Sequence, residues 1–167
     1  ARATAANPKF IVLDEPTSSL DVSVRAEIID LLNELQSKLG TTYLFISHDL
    51  STIQHICHRV AVLYLGNIVE YGTVDEIFNN NVHPYSRALL ASVMVPDPEV
   101  KREKYKLSGE IPSAIDLPKG CNLASRCPEA EEKCFKEHPP MIEVTPGHFV
   151  SCIHAKPYMR KEKGDAQ

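Results

Sequence analysis

The sequence predicts an α/β protein, a core with parallel strands followed by a small, loop-rich, cysteine-containing C-terminal domain. Three observations carry that expectation. The run "FIVLDEPTSSLD", Phe10 to Asp21, sends four apolar residues straight into a pair of carboxylates. A helical apolar stripe and a second strand rich in β-branched and aromatic residues come next. This is the spacing of a parallel crossover unit, which is right-handed when its strands share a sheet. From about Pro96 prolines multiply, periodicity fades, and four of the five cysteines fall between Cys121 and Cys152.

Taken in order, Ala1 to Ala6 reads as the last turn of a helix closed by Asn7-Pro8. "FIVL" is a continuous apolar run, as expected of a parallel strand covered on both faces. Asp21 caps a helix reaching about Leu39. Ile28, Leu31, Leu32, Leu35 and Leu39 form its apolar stripe, with Glu27, Asp30, Glu34 and Lys38 away from it. Gly40 supplies the stop, and "TTYLFIS" is the second strand. A short helix starts near Asp49, and "RVAVLYLGNIVEYG" reads as a hairpin turning at Gly66-Asn67. Thr73 and Glu76 make a capping box, and "HPYSRALLASVM" is a helix with Pro84 in its first turn. A boundary between Val95 and Leu107 divides residues 1–95 from 96–167, with "EVKREKYK" as linker or solvated face. There is no internal repeat and no low-complexity tract.

At 167 residues the chain suits one domain of ordinary size, or one with an appendage. Its 43% hydrophobic and 24% charged residues are those of a soluble globular protein. No apolar run approaches the ~20 residues of a membrane-spanning helix, and no secretory signal is expected from the N-terminus. A net charge of −4 argues against a dedicated nucleic-acid binder. Only "KPYMRKEKGDAQ" is locally basic, which suits a solvated terminus. The opening "ARATAANPKF" lacks an initiator methionine and reads like a chain entered midway.

Asp14 and Glu15 fall at the carboxyl end of the first strand, where open α/β sheets place their ligands. His48 falls at the end of the second, so the groups face one crevice. A carboxylate holding Mg²⁺ on a nucleotide, with a neighbour orienting water, is what phosphoryl transfer to water requires. A histidine nearby can donate a hydrogen bond to the terminal phosphate. The bland alternative, carboxylates merely leaving a strand and a histidine opening a helix, loses ground because the groups occur in order at two strand ends.

The late cysteines are spaced Cys121-x5-Cys127-x6-Cys134-x17-Cys152. Disulfides suit a secreted chain, which nothing here suggests. Zinc usually pairs its ligands as C-x2–4-C, which is missing, whereas a Cys₄ iron–sulfur cluster tolerates wider spacing. Spacing alone leaves cluster and zinc level, with disulfides behind. Cys57, on a helical face with Ile53 and Ile56, reads as a small buried thiol.

"FIVLDEPTSSLDVSVRAEIIDLL…TTYLFISHDLS" resembles the second half of an ABC-transporter nucleotide-binding domain, a P-loop NTPase core. "FIVLDE" matches its Walker B motif, "SSLD" its D-loop and "ISHDL" its switch-histidine loop. The resemblance implies that Asp14 coordinates the Mg²⁺ of ATP, Glu15 is the general base and His48 senses the γ-phosphate. It also implies that Asp21 reaches across a head-to-tail dimer. No G-x-x-x-x-G-K-[ST] phosphate loop, glutamine loop or LSGGQ-type signature occurs in the sequence. The chain therefore reads as a C-terminal fragment, expected to bind ATP poorly and not to hydrolyse it alone.

"HPYSRALLASV", with "LSGEIPSAIDLPKGCNLASRCPEAEEKC…HPPMIEVTPGHFVSC", resembles the C-terminal extension of oligopeptide/dipeptide importer ATPases. That resemblance implies a [4Fe–4S] cluster on Cys121, Cys127, Cys134 and Cys152, with zinc as the alternative. His138, His148 and His154 lie among the cysteines and are expected in surface or turn roles. The same resemblance implies a second ATP-binding subunit, membrane permease subunits and, indirectly, an extracytoplasmic peptide-binding protein as partners. It places the subunit in the cytoplasm, peripheral on the inner face of the cell membrane, with no nucleic-acid partner. Two rival readings are an ABC-type ATPase acting on DNA with cysteine-bound zinc, and a stand-alone metal-binding interaction module.

Overall fold

The computed structural model describes residues 6–92, 105–113, 115 and 117–158. The chain divides into two compact units, Ala1–His58 and Arg59–Gln167. The boundary expected between Val95 and Leu107 lies largely outside the described residues, as does the expected N-terminal helical turn.

In the first unit, strand β1 (Phe10–Asp14) pairs in parallel with β2 (Thr42–Ile46), in a register that sets Asp14 beside Ile46. Helix α1 (Val22–Leu39) connects them. Its N-cap is Asp21, whose side chain accepts from the Val24 N–H, and Gly40 ends it in the left-handed conformation (φ 62°). Helix α2 (Leu50–Ile56) follows, with Asp49 as N-cap.

Two packing expectations need correction. The parallel strands are not covered on both faces: Phe10, Val12, Leu44 and Ile46 are each between 44% and 53% exposed. A two-stranded sheet has one apolar side more than the helices of this unit cover. The buried residue of α1 is Ile29, while Leu31 and Leu39 of the expected stripe are exposed. The buried face is centred about one residue further along, on Arg25, Ile29 and Leu32.

The second unit is built on a four-stranded sheet. Strands β3 (Arg59–Tyr64) and β4 (Asn67–Thr73) form the expected hairpin. The turn, however, is Leu65-Gly66, both with positive φ (45° and 78°), and Asn67 is already paired with Tyr64. Positive φ at both central residues gives the twist a tight hairpin needs. Helix α3 (Val74–Asn79) is capped by Thr73, which accepts from the Glu76 N–H. The Glu76 carboxylate turns elsewhere, to Thr145 and His148. Helix α4 (Pro84–Ala91) has His83 as N-cap, and α5 (Glu132–Lys136) carries Cys134. Strands β5 (Ile142–Thr145) and β6 (His148–Val150) complete the sheet in the order β3-β4-β6-β5.

The cysteine-rich segment is not a module apart from the hairpin. Leu123, 1% exposed, packs with Val62, Tyr64, Val69 and Ile77 in one core. Gly120 allows the loop before Cys121 to pass the α5 backbone, since a Cβ there would meet the Cys134 carbonyl oxygen at 2.2 Å. The Cys121 N–H donates to that same carbonyl (2.7 Å). Gly120→Ala is therefore expected to destabilise this unit by ~1–3 kcal/mol, the usual cost of forced overpacking. Urea unfolding of the variant checks it; an unchanged midpoint would show that the approach is not tight.

Candidate functional site

The strand-end site of the first unit is assembled by register. Because Asp14 pairs with Ile46, Glu15 and His48 emerge one and two residues beyond a matched pair of strand ends. The Glu15 N–H still donates to the Ile46 carbonyl (2.9 Å). Glu15 then adopts a left-handed φ of 45°, which is costly for a residue with a side chain and typical of constrained sites. Its Oε1 lies 2.8 Å from His48 Nδ1. A carboxylate only accepts, so the imidazole donates from Nδ1. Both side chains reach solvent, as does Asp14, on the open sheet face with Phe10 and Val12.

His48 is oriented from behind. Asp49 accepts from Ser51 N, Thr52 N and Thr52 Oγ1, and from Arg25 Nη1 at 2.5 Å. Burial works against ionisation, but the bonds from Thr52, Arg25 and Ser51 hold the Asp49 carboxyl below its ordinary range. Arg25 also donates to the Leu20 carbonyl (3.2 Å). It thus ties the loop before Asp21 to the segment carrying His48. The sequence reading passed over Arg25; its place on the helix face that carries the buried Ile29 was the available signal. Asp21 itself serves as the α1 cap, accepting from Val24 N at 2.9 Å.

In the second unit Cys121, Cys127, Cys134 and Cys152, with His83 and His154, line one small cavity of about 20 Å³. All four are free thiols. The Ala124 and Ala155 N–H groups donate to the Cys121 and Cys152 carbonyls (3.0 and 3.1 Å), and nearby backbone N–H groups ease the charge a thiolate would carry at Cys121, Cys127 and Cys152. The Glu131 N–H reaches Cys134 Sγ at 3.4 Å. Burial nonetheless raises the Cys121 and Cys152 thiols above their ordinary values and pushes Cys127 up to about 11. In chemistry the donor set fits a thiophilic metal group: four soft ligands around one cavity, with N–H groups near the charge a thiolate would carry. Their spacing is looser. Among the described residues no group of three or more His, Cys, Asp or Glu stands close enough to hold a metal ion.

Three buried groups of this unit were missed or misplaced by the sequence reading. Glu70 has no exposed surface; it accepts from Val82 N (2.7 Å) and His83 N (3.1 Å) and meets His148 Nε2 at 2.8 Å. His148, expected in a surface or turn role, is instead 1% exposed, with Nδ1 3.2 Å from Glu76. Its ring lies over Gly72, where a Cβ would crowd it at 3.1 Å. His83 accepts from Tyr85 N through Nδ1 (3.1 Å). His138 and His154 do occupy turns, bonding the carbonyls of Pro139 and Glu129.

Comparison with known proteins bears on both sites. Residues 69–134 match the family model described as the oligopeptide/dipeptide transporter, C-terminal region. The oligopeptide transport ATP-binding protein OppF of Escherichia coli (strain K12) is 46% identical over 159 residues, covering 94% of this chain and 47% of OppF. Over most of its length this chain is thus similar to oligopeptide/dipeptide transport ATP-binding proteins. The dipeptide transport ATP-binding protein DppF of Haemophilus influenzae is 47% identical over 154 residues, 92% of this chain and 47% of DppF. YkfD of Bacillus subtilis (strain 168), provisionally named an oligopeptide transport ATP-binding protein, is 47% identical over 165 residues. The chain spans about half the length of these curated relatives. Among the described residues no helix is long and apolar enough to cross a membrane.

The buried imidazole makes a pH prediction. Burial, aided by the Arg87 charge, pushes the His83 ring down to about 4. The unfolded ring titrates near ~6.5. Between those values the unfolded chain binds more protons, so stability falls as pH drops through the window, by about 3 kcal/mol at its lower end. Urea unfolding from pH 7 to pH 4 measures the slope. It should flatten in His83→Asn, and an equal slope in the variant would assign the effect to other groups.

Proposed function

We propose that this chain supplies the hydrolytic face of an ATP-binding subunit that energises a di- or oligopeptide importer, and that its four late cysteines hold a [4Fe–4S] cluster. The observation that carries the ATPase half is the Glu15–His48 hydrogen bond at paired strand ends. It joins a general-base candidate to a phosphate-sensing candidate beside a second carboxylate.

In this reading Asp14 holds the Mg²⁺ of ATP. Glu15 takes a proton from water as the water oxygen attacks the γ-phosphorus, and ADP departs with the broken phosphoanhydride bond. His48, held beside Glu15 and the Asp49 cap, turns its Nδ1–H from Glu15 to the γ-phosphate when nucleotide binds. Asp21 reaches the nucleotide site of a second ATP-binding subunit. The phosphate loop comes from sequence outside these 167 residues. Permease subunits and, through them, an extracytoplasmic peptide-binding protein complete the assembly, with the subunit peripheral on the inner face of the cell membrane. Residues 1–95 carry the nucleotide chemistry and residues 96–167 the cysteines. The shared thiol cavity supports a thiophilic metal group, and the absence of C-x2–4-C pairs supports the cluster over zinc.

Two measurements test this. In a protein joining this chain to a phosphate-loop half, Glu15→Gln should cut ATP hydrolysis at least ~100-fold while ATP binding persists. Hydrolysis at the parent rate would remove Glu15 from the base role. After anaerobic isolation the chain should contain about four irons and four sulfides and absorb broadly in the visible, and Cys134→Ser should lose most of both. Stoichiometric zinc without iron would replace the cluster assignment.

A further inference from the structure

We propose that Arg25 is a positioning residue for the strand-end pair, its guanidinium closing a ring of contacts that sets where His48 stands against Glu15. The inference rests on the reading of Glu15 and His48 given above and adds to it a residue that touches neither.

The ring can be followed atom by atom. Glu15 opens the loop after β1, which turns back on itself: the Ser18 N–H donates to the Glu15 carbonyl (3.3 Å) and the Leu20 N–H to the Thr17 carbonyl (3.1 Å). Arg25 holds the far end of that loop, its Nη2 donating to the Leu20 carbonyl (3.2 Å). Nη1 of the same guanidinium meets Asp49 Oδ2 at 2.5 Å. One peptide unit joins Asp49 to His48, and His48 Nδ1 returns to Glu15 Oε1 at 2.8 Å. The two oxygens of Asp49 have separate partners. Oδ1 accepts from the Ser51 and Thr52 N–H groups that open α2, and Oδ2 faces Arg25 and Thr52 Oγ1. Arg25 is itself fixed, because its N–H donates to the Asp21 carbonyl (2.9 Å) at the start of α1.

Three features separate this contact from an ordinary surface ion pair. Arg25 and Asp49 are part-buried, unlike the exposed Lys38–Glu34 pair of the same helix, so solvent screens them less. The guanidinium is a rigid planar fork, so placing one nitrogen on Asp49 places the other on Leu20, which the point charge of a lysine cannot do. Arg25 Nε, moreover, is buried with no hydrogen-bond partner among the described residues. That is a cost to stability which a side chain kept only for packing would not carry. A shift of the loop ending at Asp21 is thereby passed to the backbone next to His48.

The test begins with the ring of His48 and needs no nucleotide. A neutral imidazole carries one ring proton, and the bond to Glu15 holds it on Nδ1. At about pH 9, where an ordinary imidazole is neutral, the ring-nitrogen NMR signals of the isotope-labelled chain report the ratio of Nδ1–H to Nε2–H forms. His48→Gln assigns the His48 signals among the seven histidines. Arg25→Lys keeps the charge facing Asp49 and loses the fork, Arg25→Ala loses both, and Lys38→Ala removes an ion pair outside the ring of contacts. We expect the ratio at His48 to fall roughly threefold to tenfold in Arg25→Lys, the range of one net hydrogen bond. It should fall further in Arg25→Ala and stay at the parent value in Lys38→Ala. Urea unfolding of the same chains controls for folding, and Arg25→Lys should keep a midpoint close to that of Lys38→Ala. A parent-like ratio in Arg25→Lys would overturn the proposal. So would changes that merely track the unfolding midpoints.

In the protein joining this chain to a phosphate-loop half, Arg25→Lys should lower kcat about tenfold through misalignment. KM should stay near the parent's, because the Nη donors of Arg25 are engaged by Leu20 and Asp49. A changed ring ratio with parent-like kcat, where Glu15→Gln abolishes hydrolysis, would overturn the positioning role. Were Glu15→Gln itself without effect, the ATPase reading would fall, and the ring ratio would still decide whether Arg25 sets the pair.

Discussion

A carboxylate with no exposed surface must have its oxygens met by donors or lose its charge, and the larger unit is organised around doing this for Glu70. Val82 and His83 supply backbone N–H groups, and His148 supplies a ring nitrogen from a strand 78 residues away. These bonds fix three things together: the edge on which β6 pairs with β4, the point where α4 begins, and the side of the cysteine cavity that His83 forms. Glu76 and Thr145 extend the network, so α3 and β5 join it. Removing one member of such a buried hydrogen-bonded set leaves its partner unsatisfied, and such losses typically amount to ~1–3 kcal/mol. Simple burial of apolar surface could assemble this sheet in several registers. The hydrogen bonds of Glu70 accept only one.

The strand-end site follows the opposite principle. Its side chains are open to solvent, and its precision comes from backbone geometry: a parallel register, a left-handed residue at Glu15, and an aspartate cap braced by Arg25. Exposure is what a site requires if it is to exchange nucleotide and water. The apolar sheet face beside it shows the same economy of local contacts, with Phe10, Val12, Leu44 and Ile46 open beside Asp14.

Much of the first unit was legible in the sequence because its signals are local. Asp21, Asp49 and Gly40 lie within a few residues of the helix ends they cap, and the strand-terminal Asp14, Glu15 and His48 stand out against apolar runs. The stripe of α1 was misplaced by about one residue because leucine occupies both faces of that helix. The hairpin turn was read one residue late, since Gly66-Asn67 is a good turn pair by composition and Leu65 is a poor candidate for positive φ. Glu70 and His148 were invisible for a different reason. A charged residue in a half-polar strand reads as solvent-facing, and nothing within ten residues of either announces the partner. The four cysteines were expected to hold one metal group, and the structure sets them around one cavity. That His83 borders it was not expected, because the His-Pro-Tyr segment reads as a helix start and performs that role as well.

Cys152 lies just beyond β6, whereas Cys121, Cys127 and Cys134 all precede β5 in the sequence. The fourth wall of the cavity is therefore set only when β6 has docked on β4, a contact of long sequence separation that forms slowly. Until then three thiols are present without the strand that closes over them. Enclosure of those thiols, and with it their resistance to oxidation, is thereby coupled to docking of β6. Were β6 undocked, three of the thiols would sit in an incomplete enclosure, so the closed cavity reports that the β4–β6 pairing has formed.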